Sequence, residues 1–420
     1  MNMRFSQIQR CRLCGDSRPD VIMELGEQYL TGVFPKTPGQ PLTKGPLTLS
    51  RCPSCGLVQL LHSYDLNELY GNHYGYRSSL NRSMVAHLQA KAAALLQLAQ
   101  PGAGDCIIDI GSNDGTLLSF YPEKTYRLVG FDPAGDKFRR YYRADIELVA
   151  DFFSAKAFLK RHGGRKAGLV TSIAMFYDLE NPLQFMQEVE SILADDGIWH
   201  FEQSYLLAML RTNAYDTICH EHLEYYAVRQ IKWMTDRAGL KIIRIETNEI
   251  NGGSFAVTVA KKGAAFPEDS STIQKFLTNE NKRGLYRSKT YEDFKGRIFM
   301  QRTQFLATLN EIRTRGKKVL GYGASTKGNV ILQFCGITQQ TLPYIAEVNQ
   351  DKFGSFTPGT NIPIISEQEA HAMKPDYFLV LPWHFKSNLV QREAAFLRGG
   401  GRMIFPLPEL HIVGAEILCT

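Results

Sequence analysis

The sequence lacks the features of several large protein classes. It contains no stretch of roughly 18 or more apolar residues, and its first residues, MNMRFSQIQRCRLC, lack the apolar run of a signal peptide. It also has no long run of lysine or arginine, no internal repeat and no low-complexity segment. We therefore expect a protein of the cytosol, cytoplasmic in location, that binds neither a membrane nor a nucleic acid.

The composition is that of a folded protein with more than one domain. Its 420 residues are 44% hydrophobic and 21% charged, and such a length corresponds to roughly two to four domains. The formal net charge of +6 is modest, so the basic residues suit a phosphorylated small molecule better than a polyanion. No segment marks a strong interface, and we expect a monomer or a weak homo-oligomer.

Four of the eight cysteines form two CxxC pairs, Cys11 with Cys14 and Cys52 with Cys55. Each CxxC turn can place two thiolates on one metal ion, and two turns complete a tetrahedron, which predicts a closed, structural zinc site. A thioredoxin-like redox pair and unpaired core thiols are the alternatives, but a redox pair needs no duplicate. The remaining cysteines are scattered, which favours a reducing compartment.

Hydrophobic patterning predicts an α/β protein of three units. Residues 1–73 carry the CxxC pairs among short apolar runs and are expected to form a small zinc-binding module of strands and loops. Residues 74–261 begin with a helix near 79–100, and apolar strands then alternate with helices, which predicts a parallel sheet in a Rossmann-like domain. Residues 262–420 are expected to form a second, C-terminal Rossmann-like α/β domain that holds a phosphorylated ligand.

A glycine-rich loop, DIGSNDG, follows the first strand of the second unit, and a helix is predicted to start after it at Thr116. Glycines allow a backbone to approach a ligand closely. The spacing acidic-x-Gly-x-x-x-Gly differs from the GxGxxG fingerprint of dinucleotide-binding proteins, so no pyrophosphate is expected there. The candidate cofactor-binding residues of the glycine-rich loop are Asp109, Gly111, Asn113 and Gly115.

Acidic residues also end the next strands. Asp132 closes the strand YRLVGFD, where its carboxylate can accept hydrogen bonds from both ribose hydroxyls of an adenosine. Asp151 and Phe152 form a further acidic-aromatic step whose ring can stack on an adenine. For Asp132 the alternative is an ordinary turn aspartate, which the glycine-rich loop upstream disfavours.

The segment YDTICHEHLEYYAV places His220, Glu221 and His222 in succession. Helical zinc ligands need i, i+4 spacing, which this triplet lacks, so metal binding is the weaker interpretation. An imidazole beside a carboxylate is a natural general base, because the carboxylate fixes the tautomer and raises basicity. We expect His222 to be that base; a surface or core histidine is the alternative.

Two further motifs carry polar side chains suited to a ligand. In YGYRSS, Tyr74 and Tyr76 lie on the same side if the segment is extended, although core or rim aromatics explain them equally well. In GYGASTKGN, backbone amides and Lys327 can receive a nucleotide phosphate, with a plain strand-to-helix turn as the alternative. The candidate substrate-binding residues are Tyr74, Tyr76, Ser78, Lys327, Asn329 and Lys352.

These motifs, together with NGGSF and TPGTNIPI, occur in the order seen in nucleotide-sugar C-methyltransferases, and the chain resembles that family over almost its whole length. The resemblance implies a zinc-binding domain, a central class I methyltransferase domain that binds S-adenosylmethionine, and a C-terminal domain that helps to hold a dTDP or GDP sugar. It also implies that His222, next to Glu221, removes a proton from carbon 3 of a 4-keto deoxysugar, and that the enolate takes the methyl group with inversion. Tyr76 or Tyr74 then lines the sugar site.

Two positions depart from the family pattern. Cys219 stands before HEH where the family often has tyrosine, and Tyr177 stands near the end of the fourth strand where it often has histidine. A phenol at Tyr177 can still hydrogen-bond a keto oxygen, whereas a thiol is a poor donor. The candidate catalytic residues are His222, Glu221, Tyr76, Tyr177 and His220.

Two other functions are compatible with part of these motifs. One is a methyltransferase that acts on RNA, protein or another small molecule, which a basic face or an aromatic stacking platform would favour. The other is a non-catalytic sugar-nucleotide-binding protein, which the intact loop acids and the HEH triplet disfavour.

Overall fold

A computed structural model describes residues 5–16, 18–70 and 74–419. His73, at the first expected boundary between units, lies outside these described residues. Within them, no helix is both long and apolar enough to cross a membrane.

The N-terminal unit is a small arrangement of antiparallel strands. Its elements are β1 (Phe5–Gln7), β2 (Asp20–Tyr29), β3 (Lys44–Arg51), β4 (Val58–Leu60), β5 (His62–Tyr64) and the short helix α1 (Leu66–Leu69). Strand β1 pairs with β5, and β2, β3 and β4 form an antiparallel meander. One CxxC turn precedes β2 and the other joins β3 to β4, so the sheet brings the two turns together.

The central unit alternates strands and helices. Its elements are α2 (Arg82–Ala99), β6 (Cys106–Ile110), β7 (Arg127–Phe131), α3 (Gly135–Phe138), β8 (Ile146–Val149), α4 (Ala155–Arg161), β9 (Ala167–Ile173), α5 (Pro182–Ile192), β10 (Leu193–Ser204), α6 (Leu206–Arg211), β11 (Glu224–Tyr225), α7 (Val228–Arg237), β12 (Leu240–Asn248) and β13 (Ser254–Lys261). Asn81 caps α2 with its side chain, which accepts hydrogen bonds from two amides of the first turn.

Seven of these strands form one sheet in the order β12-β13-β10-β9-β6-β7-β8. The expected Rossmann-like arrangement is confirmed, because β6 to β10 are parallel and the strand order reverses at β6. Strand β13, however, runs antiparallel to both β10 and β12, so the prediction of a parallel sheet was wrong at this edge. The reason is the tight turn around Asn251, which has a positive φ of 55° and is too short for a parallel crossover.

The C-terminal unit is a second α/β layer structure. Its elements are α8 (Ser270–Lys282), α9 (Ser288–Thr314), β14 (Val319–Tyr322), α10 (Thr326–Cys335), β15 (Ile345–Glu347), β16 (Ile364–Ser366), α11 (Glu367–Ala372), β17 (Tyr377–Val380), α12 (Lys386–Arg392), α13 (Ala394–Arg398), β18 (Arg402–Phe405) and β19 (His411–Val413). The sheet order is β16-β15-β14-β17-β18-β19, parallel except for β19. Helices α12 and α13 meet at Glu393, whose carboxylate accepts a hydrogen bond from Tyr322.

The three units meet around the HEH triplet. Just after it, β11 of the central unit lies outside the central sheet and pairs antiparallel with β4 of the N-terminal unit. From the C-terminal unit, Asn329 in α10 donates a hydrogen bond to the carbonyl of Thr31 at 2.7 Å. The turn that carries the candidate base is therefore held between elements that are far apart in the sequence.

Candidate active site

The four CxxC cysteines form a metal site in the N-terminal unit. The Sγ atoms of Cys11 and Cys55 are 3.6 Å apart, as are those of Cys14 and Cys52, and all four lie within 4.8 Å of one another. Ligands about 2.3 Å from a tetrahedral zinc ion require sulfur separations of about 3.8 Å, so this geometry fits the ion. Four sulfur ligands leave no open position, which makes the site structural.

The thiols of this site have unequal pKa values. The hydrogen bond from Cys55 lowers the pKa of Cys11 to about 5, and burial raises the pKa of Cys14 to about 11. Gln59 donates a further hydrogen bond to Cys11 at 3.3 Å. A bound cation stabilises all four thiolates, which is why metal binding at such a site releases protons.

A cavity of about 360 Å³ opens at the carboxyl ends of β6, β7 and β9, where the strand order reverses. We call it the donor cavity. Nine residues predicted to bind cofactor or substrate line it: Asp109, Gly111, Asn113, Asp132, Asp151, Phe152, Tyr74, Tyr76 and Ser78. Gly115 does not line it, although a Cβ there would meet Tyr142 at 3.0 Å. Gly115 therefore affects the glycine-rich loop through its close packing against Tyr142 and not through a contact with the cavity.

Backbone conformation explains the residue types in the glycine-rich loop. Gly111, Asn113 and Gly115 have positive φ angles of 78°, 49° and 75°, which glycine and asparagine tolerate best. No α-helix starts at Thr116, contrary to the prediction, and only a single 3-10 turn over Leu118–Phe120 follows. The side chain of Asp114 accepts from Thr116 and from the amide of Ser79, which fixes an irregular loop in place of a helical first turn.

Two acidic residues of the donor cavity are held by hydrogen bonds. Asp132 accepts one bond at 2.8 Å on each carboxylate oxygen, from the amides of Asn113 and Ala134. Each oxygen keeps a second lone pair, so the carboxylate remains able to accept from two hydroxyls. Burial raises the pKa of Asp109 to about 7, although Thr171 donates to it at 2.6 Å. Thr171 was missed because an isolated threonine within a buried strand carries no sequence signal.

Asn113 connects the glycine-rich loop to the YGYRSS segment. Its side-chain oxygen accepts from the amide of Ser78 at 2.9 Å, and its side-chain nitrogen donates to the carbonyl of Tyr76 at 3.2 Å. The segment is thereby fixed over the donor cavity, with Tyr76 still 44% exposed. Asp151 and Phe152 lie on the exposed rim of the same cavity.

One ring nitrogen of His222 is hydrogen-bonded to the backbone, and the other has no hydrogen-bond partner among the described residues. Its Nδ1 lies 2.9 Å from the carbonyl of Thr217 and therefore donates to it, which leaves Nε2 as the unprotonated nitrogen. Burial lowers the pKa of His222 to about 3, so the imidazole is neutral at physiological pH. Its ring lies 4.2 Å from that of Tyr177. His220 is completely buried edge-on against Tyr64 at 4.7 Å, and neither histidine is among the residues that line the donor cavity.

Glu221 does not orient His222, contrary to the expectation. The two side chains diverge within the turn, and the carbonyl of Thr217 takes the orienting position. Glu221 instead accepts from Thr31 of the N-terminal unit at 3.3 Å, and burial raises the pKa of its carboxyl group. A Cβ on Gly32 would lie 2.2 Å from its Oε1, so only glycine leaves room for the carboxylate.

Tyr177 lies against His222, and Cys219 lies close to Glu221. Both are buried, and burial raises the pKa of each well above its ordinary value, so both are neutral donors. Asp178, which sequence reasoning missed, lines the donor cavity and accepts from Tyr70 at 2.7 Å. Its other oxygen is buried without a hydrogen-bond partner among the described residues. The available signal was an acidic residue in the short turn that follows a buried strand.

Tyr74 lies between the glycine-rich loop and the HEH triplet. Burial raises the pKa of its phenol well above the ordinary value, and the carboxylates of Asp132, Asp178 and Glu221 raise it further. These three carboxylates come from the end of β7, the turn after β9 and the HEH turn respectively. Tyr74 thus joins the donor cavity to the surroundings of the candidate base.

The three candidate residues of the C-terminal unit do not lie together in one site. Lys327 lines neither described cavity; it donates to the carbonyl of Asn251 at 2.9 Å, and its partly buried ammonium interacts with Asp216. Asn329 contacts Thr31, as described above, and Lys352 lines a second, smaller pocket. A role for Lys327 and Asn329 in substrate binding stays a prediction.

The fold and the donor cavity define a methyltransferase that depends on S-adenosylmethionine. Three protein-family models match the chain in order: "Putative zinc binding domain" over residues 11–70, "Methyltransferase domain" over residues 84–245 and "C-methyltransferase C-terminal domain" over residues 249–408. C-methyltransferase NovU of Streptomyces niveus is 30% identical over 414 residues, which are 97% of this chain and 98% of that protein. The chain belongs to this C-methyltransferase family.

Solved structures are similar over part of the chain. An S-adenosylmethionine-dependent methyltransferase from Clostridium acetobutylicum is 11% identical and matches 42% of this chain and 92% of its own, with a TM-score of 0.33. The plantazolicin methyltransferase BpumL, in complex with a substrate analogue and SAH, is 12% identical and matches 42% of this chain and 84% of its own, with a TM-score of 0.33. The assignment of fold class accordingly stands on the strand order described above.

Proposed function

We propose that the protein methylates carbon 3 of a nucleotide-linked 4-keto deoxysugar, with His222 as the base that removes the proton from this carbon. The observation that carries the proposal is the hydrogen bond from His222 to Thr217. Since that bond occupies Nδ1, the basic Nε2 is left for a substrate proton beside Tyr177.

A ketone is needed because an unactivated C–H bond is too weak an acid for an imidazole. His222 takes the proton from the carbon next to the carbonyl, and the electron pair of the C–H bond moves to form an enolate. Neutral donors close to the base then stabilise the enolate oxygen, for which the buried phenol of Tyr177 is the best placed. S-adenosylmethionine supplies the electrophilic methyl group, and the proton leaves from His222 to water.

The residues of the donor cavity orient the two reactants. Asp132 accepts hydrogen bonds from the amides of Asn113 and Ala134 and keeps lone pairs for ribose hydroxyls, while Asn113 fixes the segment of Tyr74 and Tyr76 over the cavity. Tyr74 and Tyr76 line the cavity from the side of that segment and are proposed to contact the sugar. Positioning of this kind supplies a large part of the rate enhancement in transfer reactions.

Other features of the working enzyme are also proposals. We place the limits of the three units at residues 1–73, 74–261 and 262–420, and propose that the enzyme acts in the cytoplasm as a monomer or weak homo-oligomer. The zinc site supports this location, because its four cysteines must stay reduced and the cytoplasm is a reducing compartment. The sugar carrier is proposed to be dTDP or GDP.

Hydrogen exchange tests the base directly. A 4-keto sugar nucleotide incubated in D₂O with the enzyme and S-adenosylhomocysteine should lose its carbon-3 proton signal in NMR, because proton removal needs no methyl group. His222→Ala should not catalyse the exchange, while His220→Ala, which alters a core residue packed against Tyr64, should still do so. Equal exchange by wild type and His222→Ala would show that another group is the base.

A further inference from the structure

A second pocket lies beside the donor cavity and carries an excess of positive charge. It encloses about 50 Å³, and its charged lining consists of Lys36, Arg77, Lys137 and Lys352 against the single carboxylate of Asp351. We call it the cationic pocket. Each unit contributes to it: Lys36 comes from the N-terminal unit, Arg77 and Lys137 from the central unit, and Lys352 from the C-terminal unit.

The cations of this pocket are held mostly by neutral oxygens. Lys36 donates to the carbonyl of Asp351 at 2.9 Å and to Ser355 at 2.8 Å, and Lys137 donates to the carbonyl of Tyr74 at 2.6 Å. Lys352 donates to the carbonyl of Ala324 at 2.7 Å and has Glu347 as a carboxylate neighbour at 4.0 Å. Carbonyl and hydroxyl oxygens satisfy donors without neutralising charge. Asp351 also attracts the ammonium of Lys137, but it is one carboxylate in a lining that has four cations.

Arg77 donates from one terminal nitrogen to the hydroxyl of Tyr141, but its Nε is unsatisfied among the described residues. Its guanidinium stacks on Tyr141 with 4.4 Å to the ring centroid, and its Nε is buried with no hydrogen-bond partner among the described residues. The one carboxylate of the lining is shared as well, since Asp351 also lies 4.0 Å from Arg140. A buried guanidinium donor with no acceptor is costly unless a ligand supplies an oxygen.

The cationic pocket and the donor cavity have one lining residue in common. Tyr74 lines both, and Lys137 fixes the Tyr74 backbone from the cationic side. An anion in the cationic pocket would therefore be separated from the donor cavity by Tyr74.

We propose that the cationic pocket binds the diphosphate of the nucleotide-linked sugar, so that the sugar extends past Tyr74 to the donor cavity. This inference rests on the proposed function for its substrate class. It assigns the phosphates to Lys36, Arg77, Lys137 and Lys352 and leaves Lys327 of the GYGASTKGN motif to its contacts with Asn251 and Asp216.

Calorimetric titration of the full-length protein loaded with S-adenosylhomocysteine tests the assignment. The probes are dTDP, GDP, thymidine and inorganic pyrophosphate, and the variants are Lys36→Met and Lys137→Met. We expect dTDP or GDP to bind the wild type, thymidine to bind far more weakly, and each variant to lose roughly tenfold or more in affinity for the diphosphate. Pyrophosphate should compete with the nucleotide.

Lys275→Met is the matched control, since Lys275 is an exposed lysine of α8 outside both cavities. It should bind the diphosphate as the wild type does, and all variants should keep their affinity for S-adenosylhomocysteine, which shows that they are folded. Wild-type diphosphate affinity in both pocket variants, or no diphosphate binding by the wild type, would overturn the inference. Because the titration needs no methyl transfer, a failure of the proposed reaction is seen separately.

Discussion

The residues of the HEH turn differ in what surrounds them. His220 is packed in the core against Tyr64, Glu221 contacts Thr31 of the N-terminal unit, and His222 donates from Nδ1 to Thr217. The sequence indicated a base within the triplet and favoured His222 on chemical grounds. It did not indicate that a backbone carbonyl orients the imidazole, because a carbonyl is present at every position and leaves no mark in a sequence.

The pH dependence of the reaction should reflect the buried imidazole. Burial lowers the pKa of His222 to about 3, so the neutral, basic form persists when the pH falls below the ordinary histidine pKa of about 6.5. We expect kcat/KM to stay level between neutral and mildly acidic pH, as long as the protein remains folded. A loss of kcat/KM with a midpoint near 6.5 would mean that the base titrates as an exposed histidine does.

Gly32 is predicted to be essential for the position of Glu221. A Cβ at this position would lie 2.2 Å from the carboxylate, so Gly32→Ala must displace Glu221 or the loop that holds Thr31. Overpacking of this kind costs about 1–3 kcal/mol, and we expect a lower melting temperature together with reduced kcat. Gly263→Ala is the control, because a Cβ there meets nothing within 4 Å. Equal stability and kcat in both variants would contradict the packing described.

At the scale of elements, the positions of the strands were predicted better than their directions and their pairing. Apolar runs identified β6, β7, β9 and β10, since strands buried on both faces read as continuous hydrophobic segments. The antiparallel direction of β13 and the pairing of β11 with β4 were not predicted, because they depend on short turns and on contacts distant in sequence. The helix expected at Thr116 failed for a local reason, the competing hydrogen bonds of Asp114.

Asp132 should dominate the affinity of the donor cavity. Asp132→Asn replaces one acceptor oxygen by an NH₂ group and removes the charge, so we expect the Kd for S-adenosylhomocysteine to rise about tenfold or more. Asp151→Asn is the matched comparison, because Asp151 lies on the exposed rim of the same cavity. Its effect on Kd should be smaller. Calorimetry that ranked the two variants in the opposite order would remove Asp132 from the donor site.

At the scale of the whole molecule, the site is built from three units rather than within one. The zinc site joins the turn before β2 to the turn between β3 and β4. Strand β4 pairs with β11 just after the HEH triplet, and Asn329 of α10 binds the carbonyl of Thr31. The sequence predicted the zinc ligands from their spacing alone. It did not predict that the zinc-binding unit supports the candidate base, because that connection exists only in the folded chain.

Zinc removal should therefore affect activity through the fold. The purified protein should carry about one zinc ion per chain, and chelation should lower the melting temperature and abolish methyl transfer together. Cys11→Ser should reproduce this result, whereas Cys106→Ala alters a buried thiol outside the cluster and should keep the metal. Metal analysis that found full zinc content in Cys11→Ser would exclude Cys11 as a ligand.

The position of the transferred methyl group tests the central claim most directly. The enzyme is incubated with 4-keto deoxysugars linked to dTDP or GDP and with S-adenosylmethionine whose methyl carbon is ¹³C, and the product is examined by mass spectrometry and NMR. The account predicts a product one methyl group heavier, with the ¹³C bonded to carbon 3 of the sugar. A label on oxygen, or on a carbon that is not adjacent to the ketone, would contradict it.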